Sequence, residues 1–439
     1  MKVVVVVVFF IVSLFAMPKS FSLIKKGSDD NSSQEGNTLL IISGIQGDED
    51  GGYMASNLLS KRYNIEGGEV WIVPNLNYKS ILENSRGVYG DMNRKFKNIS
   101  RDDPDFELVE RIKSVILDDA VDMVLHLHDG SGFYRKEYID SKLNPQRWGQ
   151  SVIIDAVEVN ASKYGELNTI AQDITENIND HLLDETHKFH IKNTNTSLGK
   201  TFEQKEMLKT LTYFTIENSK AALANEASKE LPLEERVYYH LRAIESYMDY
   251  LGISYTKDLE LTPDAIKESF YKNIEIDIND KKIVFPTANI RNYLGYVPLK
   301  KDDNNITSQT PLIISKKVGK FYDIYYGANR LTRLSPQYFE YCDIGRIEAV
   351  VDGKTRVYES GDIVEIDEYV NIKTKDEYRV NVIGFIKDPN NLKASEDSVD
   401  IYKKEFIKRF SIDTKGELYR AEIYKDGKYC GMLVLNYKE

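Results

Sequence analysis

Two of the six histidines lie two residues apart in an apolar run, a spacing that can do chemistry. His126 and His128 alternate with Leu125 and Leu127, so both imidazoles point to the same face of a strand. Hydrolytic zinc sites use such donors together with a carboxylate and leave one coordination position open for water. The spacing alone leaves two interpretations open: a metal site, or two buried histidines that hydrogen-bond to their neighbours.

Short apolar runs along the chain predict the strands that must position these side chains. Residues 38–43, 69–73 and 121–128 are too short for helices and too apolar for half-exposed strands, which predicts strands covered on both faces. Helical stretches at 53–63 and 106–117 lie between them. This alternation predicts an α/β fold with a mixed, mostly parallel sheet and helices on both faces. The working residues of such sheets lie just past the carboxyl ends of strands.

Five motifs follow one another along the first half of the chain in an order that resembles the carboxypeptidase A/B-like zinc carboxypeptidases. They are residues 43–49 (SGIQGDE), 73–77 (VPNLN), Arg86 with 90–96 (GDMNRKF), 122–128 (DMVLHLH) and 211–217 (LTYFTIE). Together they are far more specific than any one of them. Gln46 stands where this family has a histidine. That glutamine and an apolar leader also resemble the branch of peptidoglycan DL-carboxypeptidases that determine helical or curved cell shape in Gram-negative bacteria.

The resemblance implies one bound Zn²⁺ with Gln46, Glu49 and His128 as its ligands. A glutamine oxygen is uncharged like an imidazole but is a poorer donor to zinc. Residues 211–217 are expected to form a strand that carries the catalytic Glu217, which would deprotonate the attacking water and protonate the leaving amine. Arg86 is expected to stabilise the oxyanion.

The same resemblance assigns the substrate contacts. Arg94, with Asn93, is expected to bind the terminal carboxylate of the substrate as a bidentate partner. His126 could contact substrate, orient a neighbouring group or fill space. Trp148 could form a wall of the pocket or serve only in packing. The tyrosine usual in this family has no counterpart in residues 187–199.

The function implied is removal of the C-terminal meso-diaminopimelate from muramyl tripeptide, at its bond to the γ-carboxyl of D-glutamate, with an influence on cell shape. Peptidoglycan stem peptides are then the substrates, and other cell-wall or cell-shape proteins are candidate partners of the later domains. The alternative is a non-catalytic peptidoglycan-binding or scaffold protein with a degenerate metal site.

The N-terminus and the charge balance restrict where the protein acts. Met1-Lys2 is followed by an apolar run to Ala16, which predicts an export signal over residues 1–22 and a periplasmic location. An uncleaved membrane anchor is the alternative. The formal net charge is −11 and the sequence has no basic run, so a nucleic-acid partner is not expected.

A change along the chain, from alternating strand and helix patterns to short strand patterns alone, predicts three domains after the leader. A carboxypeptidase domain is expected over residues 23–254, a small barrel-like β domain over 255–340 and an Ig-like β-sandwich over 341–439. The Asp-Gly pairs at 352–353 and 426–427 predict hairpin turns. Cys342 and Cys430 are the only cysteines, and the sequence is equally consistent with a disulfide or two buried thiols.

Overall fold

The fold is that of a computed structural model, which describes residues 21–27, 36–375, 377–385 and 394–437. The chain divides into two compact units, residues 1–266 and 267–439. The first unit combines a mixed sheet with helices, and the second contains mostly β-strands. The predicted fold class, an α/β domain followed by small β domains, is confirmed.

Strands of the first unit alternate with its helices along the chain. The strands are β1 (Ile24–Gly27), β2 (Thr38–Ile42), β3 (Tyr63–Gly67), β4 (Glu69–Val73), β5 (Met123–Gly130), β6 (Phe133–Tyr134), β7 (Leu143–Asn144), β8 (Ser151–Ile154), β9 (His190–Asn193), β10 (Ala221–Ser228) and β11 (Ser254–Lys257). The helices are α1 (Asp50–Arg62), α2 (Tyr78–Leu82), α3 (Phe106–Ile116), α4 (Leu167–Asn179), α5 (Phe202–Met207), α6 (Leu211–Glu217), α7 (Leu233–Tyr250) and α8 (Pro263–Tyr271), which crosses into the second unit.

A seven-stranded sheet forms the centre of the first unit, in the order β1-β4-β2-β5-β10-β8-β9. Strands β4, β2, β5 and β10 run parallel, whereas β1 and the β8–β10 pair are antiparallel. Every residue of β2, β5 and β10 is buried, which is why these segments are almost continuously apolar.

The two faces of β5 contact different helices. Val124 packs in a core with Val109, Ile112 and Ile116, which recur on one side of α3. Asp129, on the opposite face, contacts His240 of α7. Since side chains alternate along a strand, His126 and His128 share the α3 side with Val124.

The prediction of a strand over residues 211–217 is wrong, because this segment is helix α6. The Thr210 side chain accepts a hydrogen bond from the Tyr213 amide and so caps the helix, and the 211–217 helix ends at Glu217. Leu211 and Phe214, three positions apart on one side of this helix, pack in the same apolar core, and the helix contacts β10.

The described residues of the second unit form four small sheets. Its strands are β12 (Glu275–Ile278), β13 (Ile283–Pro286), β14 (Tyr293–Leu299), β15 (Ile306–Thr307), β16 (Ile313–Val318), β17 (Phe321–Tyr326), β18 (Asn329–Tyr338), β19 (Ile347–Val351), β20 (Lys354–Tyr358), β21 (Ile363–Ile366), β22 (Tyr369–Lys373), β23 (Arg379–Val382), β24 (Asp400–Tyr402), β25 (Leu418–Lys425) and β26 (Lys428–Tyr437). Sheets β20-β19-β22-β24 and β21-β26-β25-β23 enclose one apolar core, as in a sandwich.

Both predicted hairpin turns are confirmed. Asp352 and Gly353 have φ of 48° and 78°, and Asp426 and Gly427 have φ of 51° and 75°. Positive φ at both central residues is the requirement of the tight turn that joins β19 to β20 and β25 to β26.

A disulfide joins Cys342 to Cys430, 88 residues apart in sequence. It links the segment before β19 to the beginning of β26. The structure therefore decides between the two states that the sequence left open.

The predicted leader lies mostly outside the described residues. Phe21 is described and only 4% exposed, with the Arg111 guanidinium 4.4 Å from the centre of its ring. Phe21, which the predicted export signal over residues 1–22 includes, therefore packs in the core of the first unit. Among the described helices, none is long and apolar enough to cross a membrane.

Candidate active site

The carboxyl ends of the central strands open into a cavity of about 280 Å³. Seven of the nine residues predicted for the site line it: Gln46, Glu49, Arg86, Asn93, Arg94, His128 and Trp148. The loops after β2 and β4, the end of β5 and the loop between β7 and β8 bring them together, as expected for an open α/β sheet. His126 and Glu217 do not line this cavity.

Glu49 and His128 face each other at the floor of the cavity. The Glu49 Oε2 lies 2.7 Å from the His128 Nδ1 and accepts a hydrogen bond from the Asp129 amide. Burial raises the pKa of Glu49 to about 8 and lowers the pKa of His128 to about 3. The pair is therefore a neutral acid and a neutral imidazole when no cation is present, and a cation would favour the ionised carboxylate.

Gln46 is held by Asp91 in one orientation. The Gln46 Nε2 donates to the Asp91 Oδ1 over 2.9 Å, so the amide oxygen is the atom left for a ligand. Arg86 donates to the Asp91 Oδ2 over 3.0 Å and lies 3.6 Å from the Glu49 Oε1. Burial opposes ionisation of Asp91, but Arg86 and the Gln46 hydrogen bond outweigh it and lower the pKa of Asp91. Asp91 is thus an anion that orients two residues of the site.

The side chains of Gln46, Glu49 and His128 form a set of nitrogen and oxygen donors, here called the donor set. Such a set fits a divalent cation that accepts both kinds of ligand. The described residues contain no cluster of three His, Cys, Asp or Glu side chains with metal-binding spacing. Glu49 and His128 supply two such donors, and the third is the amide oxygen of Gln46. One carboxylate, one imidazole and one amide oxygen together suit a divalent metal ion that accepts both nitrogen and oxygen ligands.

Asn93 and Arg94 lie together at the side of the cavity. The Asn93 Oδ1 accepts from the Leu211 amide over 3.0 Å, which leaves the Asn93 amide nitrogen as a donor. Arg94 donates to the Asn93 carbonyl over 3.0 Å and lies 3.7 Å from Glu206. This loose ion pair leaves a guanidinium that can exchange its partner for a substrate carboxylate.

Trp148 forms part of the cavity wall and rests on a buried lysine. The Lys192 Nζ lies 4.3 Å from the centre of the Trp148 ring and 4.7 Å from that of Tyr134. It also donates to the Pro145 carbonyl over 2.8 Å. Lys192 therefore holds the loop that carries Trp148, and Trp148 serves both in packing and as cavity wall.

His126 is fully buried and reaches the cavity only through His128. Its Nδ1 lies 3.0 Å from the His128 Nε2. The structure therefore places His126 behind His128, where it can orient that ring, and not among the residues that face a substrate.

A second buried carboxylate lies beside the predicted metal ligands and belongs to Glu226, a residue not predicted from the sequence. Glu217 is exposed at the end of α6, outside the cavity. Glu226 lies on β10 directly beside His128 of β5, is 9% exposed and lines the cavity. Its Oε2 has no hydrogen-bond partner among the described residues. Burial, with repulsion from Glu49, raises the pKa of Glu226 well above its ordinary value.

The sequence did contain a signal for Glu226. It is the one acidic residue in the run AALANEAS at 221–228, whose other members are small or apolar except Asn225. A carboxylate in a strand buried on both faces is costly unless it has a function. The T-x-E match at 215–217 instead placed the predicted catalytic glutamate at Glu217, which lies on a helix.

A hydrogen-bond network around Asp129, on the face of β5 opposite to His128, holds this strand in place. Asp129 accepts from the Gly51 amide over 2.7 Å, from Arg236 over 2.6 Å and from His240 over 2.9 Å. Burial opposes the charge of Asp129, but His240 and Arg236 outweigh it and lower the pKa to about 2. This anchored residue follows His128 directly and donates its amide to Glu49.

The shifted pKa of Glu49 predicts how the metal-free protein responds to pH. Above pH 6.5 a folded Glu49 still holds a proton that the unfolded carboxyl, with a pKa near 4.5, has lost. Stability therefore falls as pH rises through the folded pKa, by about 2 kcal/mol from pH 6.5 to 8 at about 1.4 kcal/mol per pH unit. Urea unfolding with a chelator at both pH values measures it.

Glu49→Gln is the matched control for this pH dependence, because it keeps the shape and cannot titrate. The variant is expected to lose the Glu49 part of the fall between pH 6.5 and 8, about 2 kcal/mol, and to keep the part that the raised pKa of Glu226 contributes. The lowered pKa of His128 adds a separate loss of stability as pH falls from 6.5 toward 3, where the unfolded imidazole has gained a proton that the folded one refuses. Equal slopes for wild type and Glu49→Gln above pH 6.5 would exclude the raised pKa.

A mixed sheet that brings a glutamate, a histidine and a second buried carboxylate to one cavity is the arrangement expected of a metallocarboxypeptidase. Residues 1–271 match the Peptidase M99 family, described as the catalytic part of a carboxypeptidase controlling helical cell shape. Residues 341–438 match the C-terminal domain of metallo-carboxypeptidase. The chain belongs to the Peptidase M99 family, and the predicted family and enzyme class are confirmed.

Solved structures of one relative cover nearly the whole chain. Product-bound Cell Shape Determinant protein Csd4 from Helicobacter pylori is 38% identical, with a TM-score of 0.79 over 95% of this chain and 100% of that chain. The tripeptide-bound form has 38% identity, a TM-score of 0.78 and the same coverage. The mDAP-bound form, called a D,L-carboxypeptidase, has 39% identity and a TM-score of 0.78 over 94% and 100%. No curated protein matches the chain in sequence.

Proposed function

We propose that this protein is a zinc-dependent peptidoglycan D,L-carboxypeptidase in which Gln46, Glu49 and His128 hold the metal. The observation that carries the proposal is the convergence of these three donors and Glu226 on one cavity, with Arg94 at its side. When bound, zinc would polarise the scissile carbonyl and lower the pKa of water. The Asp91 hydrogen bond to Gln46 supports this ligand set, since it turns the amide oxygen toward the cavity.

Glu226 is the general base and acid of the proposed reaction. It takes a proton from the attacking water and gives it to the leaving amine. Burial beside Glu49 shifts its pKa in the direction that a proton acceptor working near neutral pH requires. Arg86, half-exposed beside Glu49, offers a guanidinium to the oxygen that becomes negative.

The proposed substrate is muramyl tripeptide, and the proposed product is its C-terminal meso-diaminopimelate. Arg94 binds the terminal carboxylate of that residue, and the Asn93 amide adds a hydrogen bond. The tripeptide-bound and mDAP-bound forms of the Helicobacter pylori protein support this substrate class. A carboxylate clamp next to the reacting groups explains why one terminal residue is removed.

We also propose that the protein acts in the periplasm. The apolar run before Ala16 is of export-signal length. The disulfide between Cys342 and Cys430 supports an oxidising compartment.

Product analysis with muramyl tripeptide tests the substrate assignment. Wild-type protein is expected to release meso-diaminopimelate, and Arg94→Lys is expected to lower kcat/KM by about 10- to 100-fold because one ammonium cannot replace a bidentate guanidinium. Chromatography of the released amino acid measures both rates.

Arg101→Lys is the matched control, because Arg101 is exposed and outside the cavity. It is expected to keep the wild-type rate. If zinc-loaded wild-type protein released no diaminopimelate from the tripeptide, the chain would instead be a binding or scaffold protein with a degenerate site. Equal rates in Arg94→Lys and Arg101→Lys would remove Arg94 from carboxylate binding.

A further inference from the structure

The second unit contains a cleft of about 470 Å³ that has no part in the reaction proposed above. The residues Tyr293, Tyr296, Phe410, Arg409 and Arg420 line it and define what we call the tyrosine cleft. Glu422 also lines it and is the only carboxylate among the lining residues that the structure describes.

Aromatic rings of the tyrosine cleft are exposed to solvent. Tyr293 is 49% exposed, Tyr296 is 73% exposed and Phe410 is 37% exposed. Rings that stand free in this way offer flat apolar faces to a ligand, whereas rings used for packing are covered. The cleft therefore has a surface suited to stacking.

A bulge in β14 turns Tyr296 outward. The pairing of β14 with β18 shifts register between Leu294 and Val297, and Tyr296 has φ of 55°. Few residues other than glycine adopt this left-handed conformation, and bulges of this kind re-aim side chains beside binding sites. The buried Arg420 secures the bulge by donating to the Gly295 carbonyl over 3.0 Å.

A buried charged pair lies at the base of the cleft. Arg420 and Glu422 are 4% and 1% exposed, and the Arg420 Nη1 lies 3.2 Å from the Glu422 Oε1. The two charges neutralise each other, and both atoms are covered from solvent. The pair therefore supports the bulge through the Arg420 hydrogen bond to the Gly295 carbonyl and adds no net charge to the cleft.

Positive charge in the cleft is not neutralised. Arg291, another lining residue, donates only to the Lys408 carbonyl and to the carbonyl and hydroxyl of Ser411. Arg409 lies 4.9 Å from the centre of the Phe410 ring, and within the described residues neither arginine forms an ion pair. On a protein with a net charge of −11, this local excess favours an anionic ligand.

We propose that the tyrosine cleft binds a glycan strand that carries carboxylates. The apolar faces of the sugar rings stack on Tyr293 and Tyr296, and carboxylates pair with Arg409. The site lies outside the catalytic cavity, but the choice of a cell-wall glycan as the ligand rests on the proposed function.

Binding of the full-length protein to two saccharide probes tests the proposal. One probe is end-labelled cell-wall glycan strands from which an amidase has removed the stem peptides, leaving free lactyl carboxylates; the other is labelled, neutral chitohexaose. Fluorescence anisotropy is expected to detect binding of the strands. The double variant Tyr293→Ala/Tyr296→Ala is expected to weaken it by about tenfold or more, from two stacking contacts.

Two further variants keep the test decisive. Tyr138→Ala removes a 69% exposed tyrosine of the first unit and is expected to bind strands like wild type. Arg409→Gln, on the surface, is expected to weaken binding of the charged strands and leave chitohexaose unchanged. The proposal is overturned if wild type binds neither probe, if the double variant binds like wild type, or if the sugar-free stem tripeptide displaces the strands and so places them in the catalytic cavity.

Discussion

Replacing Glu226 by glutamine lowers the rate of peptide hydrolysis by about 10³-fold, within the range of a lost general base. Glutamine keeps the size and the hydrogen-bonding reach of the side chain but cannot accept the proton of the attacking water. The site gives no substitute, because Glu49 is engaged with His128 and Asp129 is bonded to three donors. Release of diaminopimelate from muramyl tripeptide by zinc-loaded protein measures the loss.

Glu217→Gln is the matched control for this substitution. Its side chain is exposed at the end of α6, so the variant is expected to hydrolyse the tripeptide at the wild-type rate. Zinc content and thermal unfolding of both variants check that neither has lost the metal or the fold. Wild-type activity in a folded, zinc-loaded Glu226→Gln protein would show that another group moves the proton.

Substitutions at Gln46 are expected to raise or lower the affinity for zinc, depending on whether the new side chain is a better ligand or none. Gln46→His is expected to tighten zinc binding by about tenfold or more, because imidazole nitrogen is a better zinc ligand than an amide oxygen. Gln46→Ala removes a donor and is expected to weaken binding by about 100-fold, at the upper end of what loss of a partner around a zinc site costs. Asp91, which now accepts from the Gln46 amide, can accept from the second ring nitrogen of a histidine. Competition with a chromophoric chelator gives the three dissociation constants.

Gln146→His makes the same chemical change at an exposed position outside the cavity. It is expected to leave the affinity of the site for zinc unchanged. If Gln46→His and Gln46→Ala both bound zinc like wild type, Gln46 would not be a ligand. The metal would then rest on Glu49 and His128 with some other donor.

The sequence by itself determined the features that depend on neighbours along the chain. The alternation of His126 and His128 with leucines placed both rings on one face of a strand, and β5 has that arrangement. The Asp-Gly turns are similarly local, since positive φ at two consecutive residues is a property of the residues themselves. The ordered motifs identified the loops that carry Gln46, Glu49 and Arg94, because the apolar runs before these loops could be recognised as strands.

Only the tertiary structure decided which glutamate faces the donor set. The seven residues 211–217 fit both the T-x-E motif of a family strand and a capped amphipathic helix. The sequence therefore favoured Glu217 as the catalytic glutamate, although it lies outside the cavity. Glu226 is beside His128 because β10 pairs with β5 in parallel at that register, across 98 residues of chain. No local pattern encodes strand order or register between distant segments, since both depend on how all the apolar faces of the sheet and helices pack at once.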